Sequence, residues 1–309
     1  MNKQIYILTK LYNINDRIMS LELCNFLDEQ IHREALKGFN SCFLPYRDSN
    51  EKVKDLKDKT FEIFKMDCQS ISNADVILGY VDGPTYDSGI CFEIGYAYTK
   101  NVPIILLTSD YFKLLKNGKL YSISSLASTA AKIIHIRNNS RDDLSYSDSL
   151  KDIQSQLYNS LLSELNNKSI YERKTAVYPE GIKYDYLIDN RFNNSEIGRI
   201  ALKKIIKILE NKKLSYYICY DNDVNNINSI AEKVFQSKNV LLWGDDYEMN
   251  IDTCITQGLA YGLEKNIILY SSDKTSLFQD EEFILYKNPM IEHSATRIIS
   301  SIEEFKYLV

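Results

Sequence analysis

The chain has no basic excess, no C-x-x-C pair and no apolar run long enough for a bilayer. With 37 Lys and Arg against 42 Asp and Glu, the net charge is −5. That balance leaves no electrostatic footprint for a nucleic acid polymer and turns attention to small ligands. The opening M-N-K-Q-I-Y-I-L-T-K holds too short an apolar run for a signal peptide, and no later run approaches the ~18 apolar residues of a membrane span. A cytoplasmic protein without a membrane partner is the expectation. Cys24, Cys42, Cys68, Cys91, Cys219 and Cys254 are scattered, mostly inside apolar segments, as reduced core thiols would be. The three histidines, His32, His135 and His293, lie far apart, so no metal site is expected. Neither G-x-x-x-x-G-K-[ST] nor G-x-G-x-x-G occurs, and no cofactor is expected.

What is present is an ordinary globular composition, 44% hydrophobic and 26% charged over 309 residues, a length that predicts two domains or one domain with a large partner. Short apolar runs alternate with helical patterns. I-Y-I-L (5–8) precedes a periodic stretch from Asn15 to about Lys37, S-C-F-L-P (41–45) precedes a charged amphipathic stretch over 51–72, and V-I-L-G-Y-V (76–81) and V-P-I-I-L-L (102–107) follow. Runs too short for helices, separated by 3.6-period segments, predict βαβ units around a parallel sheet of five strands. The second half repeats the pattern. V-L-L-W-G-D-D (240–246) follows V-I-L-G-Y-V-D by 164 residues, while N-I-I-L-Y-S-S-D (266–273) and G-L-A (258–260) follow their counterparts by 163. Y-L-I-D-N-R-F-N (186–193) resembles Y-I-L-T-K-L-Y-N (6–13) in character. A tandem duplication accounts for these matches. The expected organisation is residues 1–140, a linker with a helix over 141–181, and residues 182–309. The linker stripe Leu150, Ile153, Leu157, Leu161 and Leu165 reads as a packed helix closing the first domain.

The stretch D-G-P-T-Y-D-S-G-I-C-F-E-I-G-Y-A (82–97) sets three carboxylates, Asp82, Asp87 and Glu93, among glycines and apolar side chains. Asp82 directly follows a strand, where ligands of a parallel sheet bind. A helix is expected from about Cys91 to Ala97, with Glu93 in its first turn or two. Asp87 is read equally as a helix cap, but a carboxylate flanked by Phe92 and Ile94 needs a partner or a purpose. Cleaving an N-glycosidic bond requires one carboxylate at the anomeric carbon and an acid for the departing base. Mg²⁺ held beside a phosphate is the alternative, but the cluster contains no Lys or Arg.

The run A-D-V-I-L-G-Y-V-D-G-P-T-Y-D-S-G-I-C-F-E-I-G-Y-A-Y-T-K-N-V-P-I-I-L-L resembles the signature of the nucleoside 2-deoxyribosyltransferases, and I-Y-I-L and F-L-P-Y-R-D (43–48) are similar to that family too. The resemblance implies two tandem flavodoxin-like units, each a doubly wound parallel five-stranded sheet, forming a pseudo-dimer. It also implies a pentosyltransferase acting by double displacement with retention, with nucleosides and nucleobases as partners. Glu93 falls on the nucleophile, and Asp82 and Asp87 on the aspartates that position the nucleoside and handle the base proton. Tyr6, Pro45, Arg47, Gly83, Ser88 and Gly89 are the expected substrate contacts in the first half. The second half keeps Asp246 for Asp82 but places Thr256 or Gln257 where the nucleophile should be. The family completes each site with an Asn-x-Met segment from a neighbouring subunit. Here that segment is in the second half, Asn288 and Met290 of K-N-P-M-I-E-H, whereas the first half reads S-I-S-S-L-A-S-T-A at 122–130. The expectation is a composite site around Glu93, in a pseudo-dimer that can assemble further. Two alternatives stay open: a nucleoside or nucleotide hydrolase, for which Ser88 is the nearest phosphate contact, and a silent nucleoside-binding protein.

Overall fold

The computed structural model describes residues 3–10, 14–36, 38–49, 59–81, 87–108, 114–116, 119–121, 124–135, 145–167, 178, 181–219, 226–245, 249–272, 278–279, 284–285 and 287–309. The first half runs β1 (Lys3–Leu8), α1 (Ile14–His32), β2 (Phe39–Phe43), α2 (Pro45–Asp48), α3 (Lys59–Asn73), β3 (Val76–Tyr80), α4 (Ser88–Thr99) and β4 (Ile104–Thr108). It continues with a hairpin of β5 (Leu114–Lys116) and β6 (Lys119–Tyr121), then α5 (Ser125–Ala130), β7 (Lys132–His135) and α6 (Tyr146–Leu165). The second half runs β8 (Tyr184–Ile188), a 3-10 turn (Asn190–Asn194), α7 (Glu196–Asn211), β9 (Tyr216–Ile218), α8 (Ile227–Phe235), β10 (Ser237–Trp243), α9 (Ile251–Gly262) and β11 (Asn266–Tyr270). A second hairpin, β12 (Phe278–Gln279) and β13 (Ile284–Leu285), precedes α10 (Pro289–Ser294), β14 (Arg297–Ile299) and α11 (Ile302–Leu308).

Each half builds a parallel five-stranded sheet. The orders are β2-β1-β3-β4-β7 and, in the second half, β9-β8-β10-β11-β14. Counted within each half, both are the 2-1-3-4-5 order of flavodoxin-like doubly wound sheets. The central strands are buried along most of their length, as I-I-L-L-T in β4 is throughout, so these runs are apolar on both faces instead of alternating. Helix α7 is one-sided. In α7, Ala201, Leu202, Ile205 and Leu209 face inward while the Ser195 hydroxyl caps the first turn by accepting from Gly198 N at 2.9 Å.

The chain divides into two compact units. The first comprises 1–86, 101–123 and 131–175; its core gathers Ile5, Ile7, Leu27, Leu78 and Ile105 under α1 and α6, where Leu161 and Leu165 of the linker stripe are buried. The second comprises 87–100, 124–130 and 176–309, so α4 and α5 from the first half of the sequence belong to it. Its main core joins Ile188, Phe192, Ile205, Leu241, Trp243 and Phe305.

The ladders refine the spacing of the two copies. Ile77 of β3 pairs with Ile104 of β4, and Val240 of β10 with Ile267 of β11. Both members of the pair therefore shift by 163 (240 − 77 and 267 − 104). The letter match had put β10 at 164; the register makes Asp245, rather than Asp246, the counterpart of Asp82. No described helix is long and apolar enough to cross a membrane.

Candidate active site

Helix α4 starts three residues earlier than its apolar run suggests, at Ser88, because Asp87 is its cap. Asp87 Oδ1 accepts from Gly89 N at 2.7 Å and Ile90 N at 3.3 Å. Glu93 is thereby the sixth helical residue, in the second turn, and only 6% exposed. Every residue from Gly89 to Ala97 is buried, so the helix is enclosed on all sides.

Within the same compact unit, Asp87 Oδ1 also accepts from Asn288 Nδ2 at 3.1 Å, across 201 residues of chain. Asn288 serves two elements at once. Its Oδ1 caps α10 by accepting from Met290 N at 2.9 Å, with Pro289 at the first helical position, while its NH₂ reaches the cap of α4. Gly89 leaves the room for this, since a Cβ there would lie 2.9 Å from both Nδ2 and Oδ1 of Asn288. Asn288 and Met290 are both buried, and α10 packs on α4 and α9. The structure thus brings together Asp87, Ser88, Gly89 and Glu93 on one helix with Asn288 and Met290 on its neighbour. Asp82, Gly83 and Asp246 lie outside the described residues.

The other expected contacts belong to the first unit. Tyr6 is fully buried in β1, its ring stacked on Phe43 at 5.6 Å. Pro45 is buried at the start of α2. Arg47 is held by its own unit: Nη1 donates to Asp28 at 3.2 Å, Nε and Nη2 to Asp48 at 3.0 Å each, and Nη2 to the Cys42 carbonyl at 2.7 Å. The Asp48 hydrogen bond raises the guanidinium pKa further. Among the described residues, no group of three His, Cys, Asp or Glu could hold a metal ion.

The model of the family described as nucleoside 2-deoxyribosyltransferase matches residues 22–171. Residues 22–171 are thus similar to that family. Two solved structures are similar to the chain. One is a 2-deoxyribosyltransferase from the psychrotolerant bacterium Bacillus psychrosaccharolyticus, at 21% identity and TM-score 0.32, covering 47% of this chain and 95% of the other. The second is a conserved protein from Enterococcus faecalis V583, at 22% identity and TM-score 0.35, covering 51% and 100%. No curated protein matches the chain.

Outside the matched segment, α9 matches α4 element for element. Asn250 caps α9 as Asp87 caps α4, both helices have 12 residues, and each is followed by a left-handed residue, Asn101 at φ 55° and Glu264 at φ 57°. All three pairs are 163 apart, so the counterpart of Glu93 is Thr256, and no residues are missing between cap and glycine. Thr256 Oγ1 donates to Asp252 O at 2.7 Å, back along its own helix.

At the carboxyl end of the second sheet, internal bonds engage several of the described polar groups. Asp189, directly after β8, accepts from Thr253 Oγ1 at 2.6 Å, Trp243 N at 3.4 Å and Arg191 N at 3.1 Å. Burial pushes its carboxyl up, against the pull of the Thr253 hydroxyl and the Arg191 charge. Arg191 pairs with Asp252 at 3.4 Å. Cys254 is buried there as well, and its thiol is held well above its usual range by desolvation first and the Asp87 and Asp189 carboxylates next. Sequence spacing missed this network and the Asn250 cap; an Asp directly after β8, as Asp82 follows β3, was the available signal.

Proposed function

We propose that the protein is a nucleoside 2-deoxyribosyltransferase with one catalytic glutamate per chain. Glu93 attacks the anomeric carbon of a 2′-deoxynucleoside, the C–N bond breaks, and its electron pair leaves with the base, which takes up a proton. A nitrogen of a second base then attacks the same carbon and displaces the Glu93 carboxylate; two inversions give net retention. Asp82 and Asp87 position the nucleoside and handle the base proton, Asn288 holds the sugar, and Met290 lines the site. Residues 1–140 form the catalytic half and 182–309 the degenerate half of a pseudo-dimer, with 141–181 between them.

The observation that carries this reading is the Asn288–Asp87 hydrogen bond at the start of the helix that buries Glu93, within a segment matching the family. Support for the pseudo-dimer comes from α4 and α9, which meet reciprocally: a Cβ on Gly95 would overlap the Ile255 carbonyl, and one on Gly258 the Phe92 carbonyl. Each of these pairs is 163 apart, the self-complementary pattern of a two-fold contact. The Thr256 hydroxyl, bonded to Asp252 O, supports a second half without chemistry of its own.

The test is incubation with a deoxynucleoside, with and without a second free base, followed by chromatography. New nucleoside only with added base supports transfer, and free sugar would replace transfer by hydrolysis. Glu93→Ala is expected to lose about 10⁴-fold or more in turnover. A fully active Glu93→Ala enzyme overturns the assignment.

A further inference from the structure

We infer that Gln257 is a positioning residue: it fixes the short helix that presents Asn288 to Asp87. The inference rests on the composite site proposed above. Helix α10 has six residues, too few to persist by its own hydrogen bonding. At its N-terminal end Asn288 is both cap and contact. Its C-terminal end carries carbonyls with no backbone partner inside the helix; Ile291 O accepts from the Ser294 hydroxyl at 3.2 Å, and there Gln257 engages it as well. The side chain is fully buried on α9, and Nε2 spends both hydrogens on α10, one on Ile291 O at 2.8 Å and one on Ser294 Oγ at 2.9 Å. Gln257 thus holds one end of a helix of less than two turns, whose other end is the Asn288 contact.

The comparison between halves shows where this clamp is placed. The counterpart of Gln257 on α4, 163 residues back, is Ile94, whose side chain has no donor. The counterpart of α10 is α5, also six residues long, which is preceded by Ser124 and not by an asparagine. An amide clamp therefore serves the helix that carries Asn288, and an aliphatic residue stands where the partner helix carries none. Gln257 lies beside Thr256, so the stretch that lacks the nucleophile supplies the support.

The alternative is that Gln257 merely satisfies a helix end inside the core. A double-mutant cycle separates the two, because residues acting through one another are not additive. Gln257→Met keeps bulk and removes both donors. Its kcat/KM with a deoxynucleoside is expected to fall about as far as that of Asn288→Ala, roughly 10-fold for a hydrogen bond of this kind, mostly in KM. The Gln257→Met/Asn288→Ala enzyme is expected to be no worse than Asn288→Ala alone. Multiplicative losses, or wild-type kinetics in Gln257→Met, overturn the inference. Amide hydrogen exchange decides it without turnover: Met290 N–H, bonded to Asn288 Oδ1, should exchange at least 10-fold faster in Gln257→Met while the amides of β10 and β11 keep their protection. Unchanged Met290 exchange refutes the clamp. A wild-type protein without turnover would sink the proposed function and leave this exchange result to judge Gln257.

Discussion

The crossing of α4 and α9 yields a sharp test. A methyl group on Gly95 would lie 2.9 Å from the Ile255 carbonyl carbon and from Leu259 N, and nearer still to the Ile255 oxygen, where ordinary contact begins at 3.4 Å. Relieving even the 2.9 Å neighbours requires a 0.5 Å separation (3.4 − 2.9), and the obstructing atoms are backbone that no rotamer can move. A gap of that size forfeits about a quarter of each dispersion well along the contact, and overpacking of this kind costs about 1–3 kcal/mol. Because the atoms are backbone, Gly95→Ala and Gly258→Ala should each cost about 2–3 kcal/mol, read from the urea midpoint at unchanged m. The double variant should cost less than the sum, since helices parted for one methyl already leave space for the other. Either single variant within about 0.5 kcal/mol of wild type, or strict additivity, would refute the backbone contact.

Two further expectations concern the first unit. Burial raises the Asp67 carboxyl from 3.8 to about 7, against the Ser49 hydroxyl that donates to it at 2.5 Å. The folded state therefore holds the proton more tightly than the unfolded chain. Stability is full below pH ~4, falls as pH rises through 7, and loses at most about 4 kcal/mol in all. Asp67→Asn should flatten that slope in urea midpoints taken from pH 5 to 9, and an unflattened slope refutes the assignment. Arg47→Met frees Asp28 and Asp48 from their common cation and should cost roughly 1–2 kcal/mol, a modest figure because the pair is one-third exposed. A larger loss of activity than of stability would instead mark Arg47 as a substrate contact.

The architecture was legible because a parallel sheet needs apolar runs of four to six residues, and few other structures produce them at such regular intervals. The repeat of the sheet in the second half was legible for the same reason, although letter similarity misplaces β10 by one residue relative to the ladder register. Asp87 could be read as cap or as chemistry from its position. The structure makes it a cap that also receives Asn288, a partner 201 residues away that no local pattern can disclose. The ion pair of Arg47 with Asp28 could not be read locally, because Asp28 is 19 residues upstream on a different element. The expected start of α4, at about Cys91, is three residues late because the hydrogen bonding begins with the polar cap before the apolar residues.

The reciprocal glycines have a consequence for how such a protein can change. In a dimer of identical chains, one codon writes both sides of a two-fold contact, so every substitution lands twice and must be tolerated twice. Here positions 95 and 258, like 93 and 256, are separately encoded. One position can therefore hold a carboxylate, Glu93, while the other holds a hydroxyl, Thr256. The close approach of Gly95 and Gly258, which neither side can alter alone without cost, stayed alike on both.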